Sequence, residues 1–137
     1  MLAYYRNNLI HYFVNDALIA CALLGFSNIQ NIAEGVNVQL VWERVQLIRD
    51  LLSKEFLIRR TLNTYQDFLE CLLFQAKRGT LTFDEASQLV SHNSSVDSQH
   101  YGQSFLVSLL LPLVESYWIT VAYFLSLENR HQQHDEE

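Results

Sequence analysis

The sequence predicts an all-α protein, a bundle of four main helices plus one short helix, with a polar loop near residues 91–103. Three observations lead there. The 137 residues amount to about one domain. Half of them are hydrophobic and only 18% are charged, which suits a buried core and not intrinsic disorder. Four Gly and one Pro are too few to turn the chain every ~8–12 residues, as a sandwich or barrel requires. No internal repeat is visible.

The first helix runs from Leu2 to about Leu24. Leu9, Phe13, Ala17, Ala20 and Leu24 recur at spacings of 4, 4, 3 and 4 and share one face. Asn8, Tyr12 and Asn15 lie on the opposite face. Gly25 is the expected stop, because a residue without Cβ closes a left-handed cap cheaply. Residues 25–35, with Ser, Asn and two glycines, read as a loop.

The second helix spans about Val38 to Leu57. Val38, Val41, Val45, Ile48 and Leu52 step by 3, 4, 3 and 4 and form its core stripe. Asp50 and Lys54 stand one turn apart outside, in the order that suits the helix dipole. Asn63 with Gln66 reads as a capping box opening the third helix, whose apolar face carries Phe68, Leu69, Leu72, Leu73 and Ala76. Lys77, Arg78 and Gly79 supply the closing cations and the stop. Thr82 with Glu85 repeats the box and predicts a short helix to about Val90.

From Phe105 to Leu127 the chain is again apolar, with Glu115 as its one charge. Its length would cross a hydrocarbon core of roughly 30 Å. Glu115 near mid-bilayer would cost roughly 2.5–3.5 kcal/mol, and no basic cluster flanks either end. The expectation is therefore a central helix buried among the others and bent at Pro112, with a peripheral membrane contact left open. Residues 1–127 form the helical segment and 128–137 a charged, solvated tail.

Charge and cysteine use narrow the function. Nine basic against fifteen acidic residues give a net charge of −6, the wrong sign for a nucleic-acid partner. Cys21 and Cys71 lie in apolar helical runs and read as small core side chains in an intracellular, reducing setting. The first dozen residues, with Arg6, Asn7, Asn8 and His11, do not read as a targeting peptide. There is no G-x-S-x-G elbow, no glycine-rich phosphate loop and no C-x-x-C pair.

Three constellations offer chemistry. His11 and Asp16 form an H-x4-D pair, the base and orienting acid of glycerolipid acyltransferases. Inside a helix, five residues put the two side chains about 140° apart, facing different ways, so the pair is expected to be a decoy and a small acyl-transfer site there is the weakest reading. His131 and His134, with Asp135 to Glu137, are metal-ligand types without a framework, and no metal site is expected there. Arg59 and Arg60 with Lys54 make a basic patch of the kind that meets a phosphate or an anionic lipid headgroup, although helix-end charge is the commoner explanation. The polar group Arg6, Asn7, Asn8 and His11 fits a hydrogen-bonded corner where the first helix docks.

The same residues carry a family resemblance. Tyr4-Tyr5-Arg6-Asn7-Asn8-Leu9-Ile10-His11-Tyr12-Phe13, continuing to Ala20, resembles the block that follows the catalytic domain in glycerol-3-phosphate and dihydroxyacetone-phosphate acyltransferases. Leu47-Ile48-Arg49-Asp50-Leu51-Leu52 with Lys54-Glu55-Phe56-Leu57 resembles a second block. Pro112-Leu113-Val114-Glu115-Ser116-Tyr117 resembles a third, near the family's C-terminal end. The blocks occur in order and cover most of residues 4 to 127, and their wording is closer to the dihydroxyacetone-phosphate branch.

The resemblance implies a fatty acyl transfer from acyl-coenzyme A, the donor substrate of the whole enzyme, to the hydroxyl of a three-carbon phosphate, with no cofactor. It also implies that the catalytic H-x4-D and the phosphate-binding motifs belong to an upstream domain, the expected partner. This chain would then be a C-terminal piece, inactive alone, with no catalytic or substrate-binding residue of its own. Its signature residues Tyr5, Arg6, Asn7, Asn8, His11, Arg49, Asp50, Glu55, Phe56, Glu115, Ser116 and Tyr117 would be structural. The implied setting is the surface of a membrane, peroxisomal in preference to the mitochondrial outer membrane. The alternative is a free-standing helical interaction module without catalytic activity.

Overall fold

A computed structural model of the chain describes the backbone of residues 2–27, 34–54, 62–92 and 97–134, and side chains within 12–26, 34–54, 62–91 and 102–127. Among the described residues four helices carry the fold: α1 (Leu2–Ser27), α2 (Val38–Leu51), α3 (Tyr65–Lys77) and α4 (Asp97–His134). A 3-10 turn, Leu52–Lys54, follows α2. Beside them lies a small antiparallel sheet of β1 (Val36–Asn37), β2 (Leu81–Asp84) and β3 (Leu89–His92), in the order β1-β3-β2.

The core stripe of α2 is as the periodicity predicts: Val38, Val41, Val45, Ile48 and Leu52 are all buried. Asn37 caps this helix, accepting at its side chain from the Gln39 amide (2.8 Å). In α3, Phe68 and Leu72 are fully buried. Trp42 of α2 packs on Tyr65 and Phe68 with ring centroids 5.8 and 5.2 Å away, which ties α2 to α3. Gly79 takes φ 77° directly after α3, the left-handed closure expected of it.

The central helix is α1. Every residue from Ala17 to Leu23 is buried, and α1 touches α2, α3 and α4. This corrects the expectation that the Phe105–Leu127 run is the buried centre. In α4 only the first half packs: Gln103, Leu106, Leu109 and Leu110 are buried, whereas everything from Trp118 to Ser126 is exposed. Pro112 lies inside α4 at the boundary between the two halves.

Several boundaries differ from the sequence expectation. The short helix after Thr82 is a hairpin, pairing Leu81 with His92 and Phe83 with Val90. Leu81 and Val90 point into the core while Thr82 faces out, a period of two that a helix cannot satisfy. Asp84 turns the chain by accepting from the Ala86 amide (3.0 Å) and from the Ser87 hydroxyl, and Gln88 closes the turn at φ 55°. The cap of α3 sits one residue later than expected. Thr64 accepts from the Asp67 amide and Asp67 from the Thr64 amide, both at 3.1 Å, while Gln66 is spent on Glu70.

The polar loop near 91–103 is shorter than expected, since β3 reaches His92 and α4 begins at Asp97. The backbone of residues 128–134 continues α4. Gly25 does not end α1, which continues to Ser27. The outer end of the second helix (55–57), with Glu55 and Phe56, lies outside the described residues, as do Arg59, Arg60 and Asp135 to Glu137.

Candidate functional site

Gly25 has a use other than capping. An added Cβ there would come 2.5 Å from Nη1 of Arg44, so only glycine leaves the guanidinium its place. A helix-interior glycine costs about 0.5–1 kcal/mol relative to alanine, and the close approach is what it allows. The same guanidinium stacks on Phe26, 4.3 Å from the ring centroid. Its Nη1 is buried with no hydrogen-bond acceptor. Among the described residues no carboxylate pairs with it; the ion pairs there are Arg49–Asp50 and Arg78–Asp16.

Arg44 stands at the edge of a groove of about 710 Å³ between α2 and α4. Leu47, Ile48 and Leu51 form one wall and Val114, Trp118 and Val121 the other, with Cys21 and Gly25 beneath. The volume falls in the range of roughly 300–1,000 Å³ typical of small-molecule sites, and the lining is mostly apolar with one cation.

Beyond the groove, α4 exposes a continuous apolar face. Trp118 is 71% exposed and Phe124 64%, with Ile119, Val121, Tyr123 and Leu125 also open. Gly102–Leu127 is long and apolar enough to cross a membrane. A patch of this kind marks a surface that meets another protein or lipid.

At the opposite, packed end a polar cluster joins α1 to α3. Asp16 Oδ1 accepts from Cys71 Sγ (3.2 Å) and from Gln75 Nε2 (3.1 Å), and Arg78 Nη1 lies 3.9 Å from Oδ2. Burial, with the Asp16 charge and its hydrogen bond added, pushes the Cys71 thiol up to about 12. The thiol therefore stays protonated and donates; it is no nucleophile. Cys21, pushed to about 12 by burial alone, is equally inert, and both cysteines are free.

The H-x4-D pair falls within α1, as its spacing requires, and Asp16 is already committed to Cys71 and Gln75. The signature residues divide into three groups. Tyr5, Arg6, Asn7, Asn8 and His11 lie in the first turns of α1, their side chains outside the described residues. Arg49 does not leave Asp50 to Lys54: it grips Asp50 Oδ1 (3.1 and 3.0 Å) and donates from Nη1 to the Leu62 carbonyl (2.6 Å), fastening the end of α2 to the approach to α3. Glu115 and Ser116 are exposed, and Ser116 bonds back to the Leu113 carbonyl (2.7 Å). Among the described signature residues, Tyr117 alone lines the groove. Sequence reasoning missed Arg44 and Gly25. A cation one residue before Val45 of the core stripe and a glycine inside an apolar helix were the available signals.

The family model for the glycerol-3-phosphate acyltransferase C-terminal region matches residues 1–137. Dihydroxyacetone phosphate acyltransferase of Homo sapiens is 30% identical over 131 residues, 96% of this chain and 17% of the relative. The protein of the same name from Oryctolagus cuniculus is 29% identical over 127 residues, 93% of this chain and 17% of the relative. The chain thus spans 17% of the length of each of these relatives. No solved structure matches it. The chain belongs to the glycerol-3-phosphate acyltransferase C-terminal region family.

Proposed function

We propose that the chain is the C-terminal helical segment of an acyltransferase that moves a fatty acyl group from acyl-coenzyme A to dihydroxyacetone phosphate or glycerol 3-phosphate, in glycerolipid or ether-lipid synthesis. Chemistry belongs to a catalytic domain outside this chain, and the segment docks on that domain at a membrane surface, peroxisomal in preference to mitochondrial. The observation that carries this reading is the bare apolar half of α4, from Trp118 to Leu125. Isolated in water such a face is unfavourable at roughly 25 cal/mol per Å² of apolar area, so it calls for a covering surface. The relatives' shared name and the small share of their length matched here support that surface being the rest of an enzyme.

The test is Ile119→Ser combined with Phe124→Ser in the complete enzyme, two positions on the bare face that do not line the groove. Both side chains are exposed here, so the segment itself should fold normally. Loss of most acyl transfer to dihydroxyacetone phosphate, with unchanged expression, is the expected result. Full activity would sink the docking role and favour a free-standing helical interaction module.

A further inference from the structure

We propose that the groove between α2 and the second half of α4 binds a single-chain anionic amphiphile. Its hydrocarbon chain lies along Leu47, Leu51, Val114 and Val121, and its head meets the Arg44 guanidinium at the Gly25–Phe26 end.

Charge complementarity selects this occupant. The groove is apolar along its walls, so a chain is favoured there over a polar ligand. Arg44 carries a full positive charge with an aromatic ring as its neighbour and no carboxylate among the described residues. A wholly apolar occupant, such as a hydrophobic segment of another domain, would bury that charge unpaired, which is the costly arrangement. An anionic head removes the cost and gains a charge-assisted hydrogen bond. The site is also built and not incidental: Gly25 vacates the space, Phe26 stacks, and Arg44 is set between them before any ligand arrives. The inference concerns binding by this chain and does not rest on the acyltransferase reading, which is read by activity of the complete enzyme.

The probe is dodecyl phosphate, kept below its micelle-forming concentration and titrated into the 137-residue chain by calorimetry and Trp fluorescence. Trp118 lines the groove and should shift to the blue on saturation, whereas Trp42 is already buried; Trp118→Phe should remove the shift. One molecule per chain is expected. Dodecyl maltoside, with the same chain and no charge, should bind about ten-fold more weakly, the low end of what a charged hydrogen bond contributes. Inorganic phosphate, a head without a chain, should give no measurable heat.

Arg44→Gln should weaken dodecyl phosphate binding about ten-fold while leaving dodecyl maltoside unaffected, and Arg44→Lys should restore most of the loss. Gly25→Ala gives an independent check, because it displaces the flexible end of Arg44 without cutting the helix. It should weaken binding like Arg44→Gln, with the far-ultraviolet spectrum unchanged. Equal affinity for the charged and uncharged probes would overturn the proposal, as would binding untouched by both Arg44→Gln and Gly25→Ala. Either result would mean that the groove is bare apolar surface and Arg44 is only a helix-packing residue.

Discussion

Ala17–Leu23 of α1 and Trp118–Leu125 of α4 are both apolar helical runs, yet the first is wrapped on all sides and the second lies open. Side-chain size separates them. The buried run carries Ala17, Ala20, Cys21 and Ala22, small enough for α2, α3 and α4 to approach from several directions. The open run carries Trp118, Tyr123 and Phe124, which hold neighbours away and suit a broad surface. Polar side chains follow the same division. Asp16, just before the buried run, reaches across to Cys71 and Gln75 of α3. Ser116, Thr120 and Ser126 in the second half of α4 turn back to carbonyls of their own helix, at 2.7 to 2.8 Å. One run is therefore organised by this chain, and the other is left uncovered by it.

Truncation gives the largest contrast. Leu18 is fully buried, and Leu18→Ala should cost about 2–5 kcal/mol in denaturant unfolding. Leu125, 55% exposed, should change stability by no more than about 0.5 kcal/mol when replaced by Ala. Comparable losses at both positions would break the contrast. In the complete enzyme the same pair sharpens it: a covered α4 face predicts that Leu125→Ala acquires a cost it lacks in the chain alone.

Enlargement tests the size argument in the other direction. Ala22 is fully buried, so Ala22→Leu should overpack the bundle and cost about 1–3 kcal/mol. Ala122, exposed on α4, should accept Leu within about 0.5 kcal/mol. Thermal melts of the two variants side by side decide it. If Ala22→Leu melts like the parent, small side chains are not what admits α2, α3 and α4 around α1.

These contrasts also show where the sequence is legible. The α2 stripe from Val38 to Leu52 was readable because burial there repeats with the helical period. The hairpin was not: Thr82 and Glu85 imitate a capping box, and four-residue strands are too short for alternation to overrule it. Nor could α4 be placed, because an apolar run of core length looks alike whether or not neighbours exist to cover it. Arg44 at the groove was missed for the same reason. Its meaning comes from Gly25 and Phe26 on another helix, a juxtaposition that only the folded chain creates.

The smallest effect probes the buried run through its one ionisable group. Cys21 sits within the buried run of α1, with its thiol 3.8 Å from the Val107 carbonyl of α4. Burial raises it from 9.0 to about 12, so the folded state holds this proton where the unfolded state has begun to release it. The stability that this provides is undiminished below about pH 9 and is lost as pH rises from there towards 12. By pH 9.5 the loss should reach about 1 kcal/mol. Unfolding free energies at pH 8 and 9.5, for the parent and for Cys21→Ala, isolate the thiol from the tyrosines and lysines that titrate nearby in pH. The parent should fall further than the variant by that amount. Equal slopes would mean that water reaches Cys21 and that the packing around α1 is looser than its small side chains imply.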